Sequence, residues 1–154
     1  MLLRKHIGNT VITFSIWQRG ITMGLNSNLP DGNHILMWET DIANGDPFIR
    51  NLAWFQQEAK IPDIYVWRSN PKYGWHAISM RRSTWREAIC AASAIPETDM
   101  QWLTGSVKRG KMTLRLTEKR GNTPTPYTIL ESPYQSDVKA NELVNGEKYE
   151  YLVS

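Results

Sequence analysis

Residues 63–80, "DIYVWRSNPKYGWHAISM", constrain this chain more than any other stretch. Two runs, "DIYVWRS" and "WHAISM", are rich in β-branched and aromatic residues. They flank "NPKYG", whose Asn, Pro and Gly favour a turn. The pattern predicts a β-hairpin, so the sheet that forms is antiparallel here.

Helical patterns lie on both sides of it. Upstream, "HILMWETDI" (34–42) reads as an apolar strand, followed by "NGDPFIRNLAWFQQEA". Asp46 is a suitable N-cap and Pro47 suits the first helical position. Ile49, Leu52, Ala53, Gln56 and Ala59 then share one face, flanked by Phe48 and Phe55, and Pro62 ends the pattern. Downstream, Thr84 and Glu87 form a capping-box pattern before "WREAICAASA". Trp85, Ala88, Ile89 and Ala92 form its apolar face, and Pro96 stops it. A short helix is expected around Met100 to Leu103. "KMTLRLT" (111–117) alternates as a strand with Met112, Leu114 and Leu116 inward, and "PYTILES" is one more strand. Before all of these, residues 11–18 read as a strand and residues 24–33 as a loop. Residues 133–154 read as a C-terminal extension without a clear pattern.

From 34 to 117 the order is therefore β-α-β-β-α-β. This predicts an α+β fold with an RRM-like or ferredoxin-like core and additional strands. The chain is expected to be one domain, 1–154, with that core at about 34–120.

The net charge of +3 hides an asymmetry. Residues 68–120 hold eleven basic side chains against four acids, so the rest of the chain is acidic. A basic half suggests an anionic partner, with single-stranded or primer-template nucleic acid first. Arg68, Arg81, Arg82, Lys108, Arg109 and Lys111 are the candidate contacts. Solvated basic residues around an ordinary fold are the plain alternative. A single cysteine, Cys90, excludes an internal disulfide framework and a Cys-rich zinc site. No apolar run approaches a membrane span, and the N-terminus lacks a signal-peptide pattern, so no membrane partner and a cytoplasmic setting are expected.

In the expected topology, strands 34–42 and 74–80 are antiparallel neighbours. Glu39 and Asp41, two residues apart, share a face and converge on His76. Two carboxylates can hold Mg²⁺ or Mn²⁺ together with substrate phosphates. His76 could contact a phosphate oxygen, and Lys72, Arg115 and Lys119 could neutralise a triphosphate. A solvated strand end and a packed histidine are the simpler explanations.

These residues resemble the catalytic core of the archaeo-eukaryotic primase superfamily, which includes the primase-polymerases. That family carries two acids after a strand, then a small residue and a histidine on a hairpin, then a third acid and a basic strand. "WETD" is similar to the first motif, and "RSNPKYGWHAIS", with Ser69, Lys72, Gly74 and His76, to the second. Asp99 in "ETDMQWL" is a candidate third acid, with Glu118 its rival, and "MTLRLTEK" supplies Arg115 and Lys119. The resemblance covers about residues 34–120. It implies template-directed nucleotidyl transfer from nucleoside triphosphates in DNA replication, with Glu39, Asp41 and Asp99 as metal ligands and catalytic acids. It implies that His76 contacts the nucleotide and that Ser69, Lys72, Arg115 and Lys119 bind its phosphates. The sequence departs from the family in opening the acid pair with Glu, in the polar surroundings of Asp99, and in its shorter length without zinc-binding cysteines.

Other readings fit less well. The three histidines form no His-x-His pair for a relaxase, and no Glu-x-Lys follows Pro62-Asp63 for a restriction-type nuclease. There is no Walker loop or Rossmann glycine pattern. A non-enzymatic RRM-like single-strand binder remains the alternative, with Tyr65, Trp67, Tyr73 and Trp75 as its base-stacking aromatics.

Overall fold

Along the chain run β1 (Leu2–Ile7), β2 (Thr10–Ser15), β3 (Gln18–Asn26), β4 (His34–Thr40), α1 (Asp46–Glu58), β5 (Ile64–Arg68) and β6 (Trp75–Ser83). Then come α2 (Trp85–Ser93), α3 (Met100–Arg109), β7 (Thr113–Arg115), β8 (Thr125–Leu130), a 3₁₀ turn at Ala140–Glu142, and β9 (Asn145–Val153). The computed structural model describes residues 2–7, 10–15, 18–119, 121–143 and 145–153, and the side chains of 24–119, 121–139 and 141–143. The fold is α+β, with helices beside antiparallel sheets.

The predicted hairpin forms. β5 and β6 pair antiparallel from Ile64↔Ser79 to Arg68↔Trp75. β4 pairs with the other side of β6, from Leu36↔Ser79 to Thr40↔Trp75. β8 adds to the free side of β5, giving the order β4-β6-β5-β8. α1 therefore links β4 to β5 across the intervening β6.

Alternation puts Trp38, Val66 and Ala77 on the helix-covered face. There the Trp38 indole N–H donates to the Ala91 carbonyl of α2 at 2.9 Å and its ring meets Phe55 of α1 edge-on. Trp38, Phe48, Leu52, Ala77, Ala88 and Ala92 are fully buried. Removing an indole from such a core costs about 3–5 kcal/mol. Gln56, also buried, is satisfied by the Pro62 and Leu130 carbonyls, which ties α1 to the end of β8.

The helix ends are set locally. Thr84 and Glu87 form the expected capping box. The N-cap of α1 is Gly45 rather than Asp46, which becomes the first helical residue ahead of Pro47. A Cβ at Gly45 would lie 2.5 Å from the Trp75 ring, so the indole packed on the helix start requires glycine there. Asp46 still helps, as an acid in the first turn facing the positive end of the helix dipole. α3 is ten residues, longer than the predicted Met100–Leu103, and ends on Gly110 at φ +68°.

Other expectations are corrected. Residues 11–18 are not one strand: β2 ends at Ser15, β3 starts at Gln18, and Ile16 and Trp17 lie outside the described residues. Gly24–Asn26 belong to β3, so the loop begins later than predicted. The strand expected at 111–117 shrinks to β7, three residues that pair with β3 and not with β4. Met112 and Leu114 are buried as expected, but Leu116 is half-exposed. The C-terminal extension contains β9, which pairs with β3 to complete a second sheet, β7-β3-β9.

The outer edge of β4 is closed without a strand along its length. The Ile35 N–H donates to the Ser27 carbonyl, and the Asp99 N–H donates to the Glu39 carbonyl, both at 2.8 Å. Among the described residues, no helix is long and apolar enough to cross a membrane.

Candidate functional site

Glu39 and His76 are Cα partners across β4 and β6. Because the Glu39 carbonyl points outward to Asp99, its main chain makes no bond to β6 at this position. Side chains of such a non-hydrogen-bonded pair sit close together. The Glu39 Oε2 and His76 Nε2 are 3.9 Å apart. His76 is buried, and a quarter of the Glu39 side chain reaches solvent.

Asp41 follows the end of β4, where the β5–β6 turn folds back onto it. The Gly74 N–H donates to the Ile42 carbonyl at 3.1 Å, and the Ser69 N–H donates to the Gly74 carbonyl at 3.0 Å. Gly74 has φ +103°, and a Cβ there would lie 2.6 Å from Ser69 Oγ and 3.4 Å from Asp41 Oδ1. The turn thus brings Ser69 and Asp41 to one glycine that has no room for a side chain.

Asp99 reaches the site from the start of α3. Its carboxylate accepts the Trp102 N–H at 2.6 Å as the N-cap, while its own N–H holds the Glu39 carbonyl. The polar surroundings of Asp99 in the sequence are those of a helix start. Its charge still acts on both other acids.

Burial, reinforced by Asp41 and Asp99, pushes the Glu39 carboxyl up to about 8, against the pull of Arg115 and Lys119. Burial and Asp99 also raise Asp41, with Lys119 opposing. Burial and the Arg115 charge push His76 down to about 3, although a hydrogen bond with the Arg115 main chain works the other way. At neutral pH the Glu39–His76 contact therefore joins two neutral groups. Three acids crowded together favour a cation among them.

Among the described residues, no group of three His, Cys, Asp or Glu side chains is arranged to hold a metal ion alone. The donors at hand suit an ion that takes one or two carboxylates and fills its remaining positions with substrate phosphates, as Mg²⁺ does.

The cationic residues divide in two. Lys119 sits on a tight hairpin, bridged to Asn122, and its charge reaches Glu39 and Asp41. Lys72 is exposed in the β5–β6 turn. Arg115, expected to bind phosphate, instead donates to the Ser69, Thr117 and Asn122 carbonyls at 2.6–2.9 Å. It binds the hairpin and the turn together above His76. Beside it an open cleft of about 370 Å³ is bounded by Trp67, His76, Leu114, Arg115 and Pro124.

Arg81 and Arg82 lie at the far end of β6 and serve the fold. Arg81 donates to the Ala59 carbonyl at 2.7 Å, and Arg82 pairs with Asp31 and Glu142. Both guanidinium groups, expected as nucleic-acid contacts, make these bonds within the chain. Lys108 and Arg109 are exposed in the last turn of α3, and Lys111 follows partly buried. Arg68 stacks its guanidinium over the Trp75 ring, 5.1 Å from the centroid.

Of the proposed base-stacking aromatics, Tyr65 and Trp67 stack together at 6.4 Å between centroids, while Trp75 is buried with its N–H on the Ile42 carbonyl. Tyr73 is exposed. Gly74 enters the sequence reading only as a member of the second motif, and Gly45 does not enter it at all. The turn sequence "NPKYG" was the available signal for Gly74, whereas nothing near Gly45 announces the distant Trp75. Comparison with protein-family models, with curated proteins and with solved structures finds no match to this chain.

Proposed function

We propose that this chain carries out metal-dependent nucleotidyl transfer from nucleoside triphosphates on a nucleic-acid template, as a minimal relative of the archaeo-eukaryotic primases and primase-polymerases. The observation that carries this reading is Glu39 lying 3.9 Å from His76 with the charges of Asp41, Asp99 and Lys119 acting on it. An RRM-like core is part of the proposal, supported by the β4-β6-β5 arrangement under α1 and α2.

In this reading Glu39 and Asp41 hold Mg²⁺ or Mn²⁺ together with substrate phosphates, and Asp99 adds negative charge from the helix start. A bound ion supplies Lewis-acid stabilisation of charge on the transferring phosphoryl group. Glu39 would hold such an ion as the carboxylate, its proton passing to solvent. His76, uncharged, lies beside the carboxylates without repelling the ion and is held there by its hydrogen bond with the Arg115 main chain. Lys119 and Lys72 balance the triphosphate charge, and Ser69 lines the turn beneath it. Arg115 positions that turn and the Lys119 hairpin through its three carbonyl contacts.

The stacked Tyr65–Trp67 pair favours a second reading, a single-strand binder without catalysis, because Trp67 lies directly across from His76. Primer extension with Mn²⁺ and labelled nucleotides separates the two. Catalysis predicts incorporation by the wild type and a loss of roughly a thousandfold or more in Asp41→Ala, with folding intact. A folded wild type that incorporates nothing on any template would leave the binder.

A further inference from the structure

A second groove is bounded by Arg68, Pro71, Gly121, Asn122, Thr123 and Thr125. Its lining mixes polar and apolar surface, and among the described residues Arg68 is its one ionised side chain. That guanidinium is held ready: it stacks on Trp75, and Nη2 donates to the Pro71 carbonyl at 2.7 Å. The Arg68 Nε is shut off from solvent and makes no hydrogen bond among the described residues. The outer edge of the guanidinium is the part that faces a ligand, and its fixed fork suits phosphate oxygens.

The same indole supports a second group. Tyr127 meets Trp75 edge-on with centroids 4.8 Å apart, yet its side chain is half-exposed on β8. Arg68 and Tyr127 are thus mounted on one rigid ring, a cation next to an exposed aromatic. That is the pairing that holds a phosphate and stacks the base beside it.

We propose that this groove binds a phosphodiester of single-stranded nucleic acid, with Arg68 on the phosphate and Tyr127 under an adjacent base. The inference rests on the nucleic-acid reading above and adds the place where the strand lies, apart from the carboxylates. A free nucleotide offers the same phosphate oxygens, but an exposed tyrosine packed on the same indole as Arg68 favours a strand.

The test is fluorescence anisotropy with a labelled oligothymidylate, without divalent metal or nucleoside triphosphate. Arg68→Gln should weaken binding about tenfold and flatten the salt dependence by roughly 0.7 in log–log slope, the share of one phosphate contact on a single strand. Tyr127→Ala should weaken it about tenfold with less change in slope. Tm is recorded for each variant, and Tyr127→Phe, which keeps the ring, should bind like the wild type. Asp41→Ala should bind normally, so strand binding is read independently of catalysis. Unchanged affinity in folded Arg68→Gln and Tyr127→Ala would overturn the proposal, even if the wild type extends primers. So would Arg68-dependent binding of inorganic triphosphate, read by calorimetry, in a protein that fails to hold the oligonucleotide.

Discussion

Glu39 and His76 face one another across β4 and β6, 3.9 Å apart, each in the uncharged form at neutral pH. An acid that keeps its proton beside a base that refuses one marks a place shut off from water. The pair gives opposite slopes of stability with pH.

For Glu39, the folded protein keeps the proton up to about 8, whereas an unfolded Glu releases it near 4.5. Its contribution to stability is therefore complete below about 4.5 and is lost as pH rises through about 8. In chelator, Glu39→Gln should melt above the wild type at pH 8.5, by about 5 °C for an effect on the order of 2 kcal/mol. Adding Mn²⁺ should raise the wild-type Tm and leave the variant unmoved. A wild-type Tm indifferent to both pH and Mn²⁺ would count against a cation site.

His76 works in the other direction. Its folded value of about 3 lies below its ordinary 6.5, so its contribution is complete above 6.5 and is lost as pH falls through about 3. Urea melts between pH 4 and 7 should show the wild type weakening toward acid more than His76→Gln does. Equal slopes would mean that His76 is more open to solvent than the structure places it.

Arg115 bridges three main-chain carbonyls from two nitrogens of a fixed fork, a spread that a compact ammonium does not match. Arg115→Met should cost about 2–4 kcal/mol in urea unfolding, and Arg115→Lys should recover little of it. A phosphate ligand that merely happened to lie there would show the reverse, with full stability in both variants and a raised KM for nucleotide.

Gly74→Ala places a methyl group against Ser69 Oγ in a backbone region that favours glycine. Strain of this kind costs about 1–3 kcal/mol, and relief requires moving Ser69 or Asp41. Incorporation should therefore fall in this variant even at temperatures where it is fully folded. Retained activity would separate the turn from the chemistry.

Arg82→Glu reverses a charge that pairs with Asp31 and Glu142. It should lower Tm and leave oligonucleotide affinity unchanged. Reduced affinity at full stability would restore Arg82 as a nucleic-acid contact.

What could be read in the sequence follows from how far apart the interacting residues are. The hairpin, the register that sets Glu39 against His76, and the Thr84–Glu87 box depend on near neighbours or on strand alternation, so the residue order carries them. Alternation in "KMTLRLT" announced a strand but could not say that β3, rather than β4, would be its partner. Gly24 and Asn26 looked like loop residues, yet pairing with β7 and β9 outweighs their weak strand preference. Thr104, Gly105 and Ser106 hid the second half of α3, although Leu103 and Ser106 are buried there. The acid pair and the histidine were visible. That Arg115 and Arg82 spend their charges inside the fold was not, because their acceptors come from other segments.

Asp99 holds the edge of the sheet through its main chain and the start of α3 through its side chain. That double grip makes the helix a lever with its fulcrum at the carboxylates. The far end, roughly 15 Å away at 1.5 Å per residue, carries Lys108 and Arg109 in the solvent. A pull on those two side chains would reach the Glu39 carbonyl through the Asp99 N–H, and exchange of that amide proton is the gauge of it.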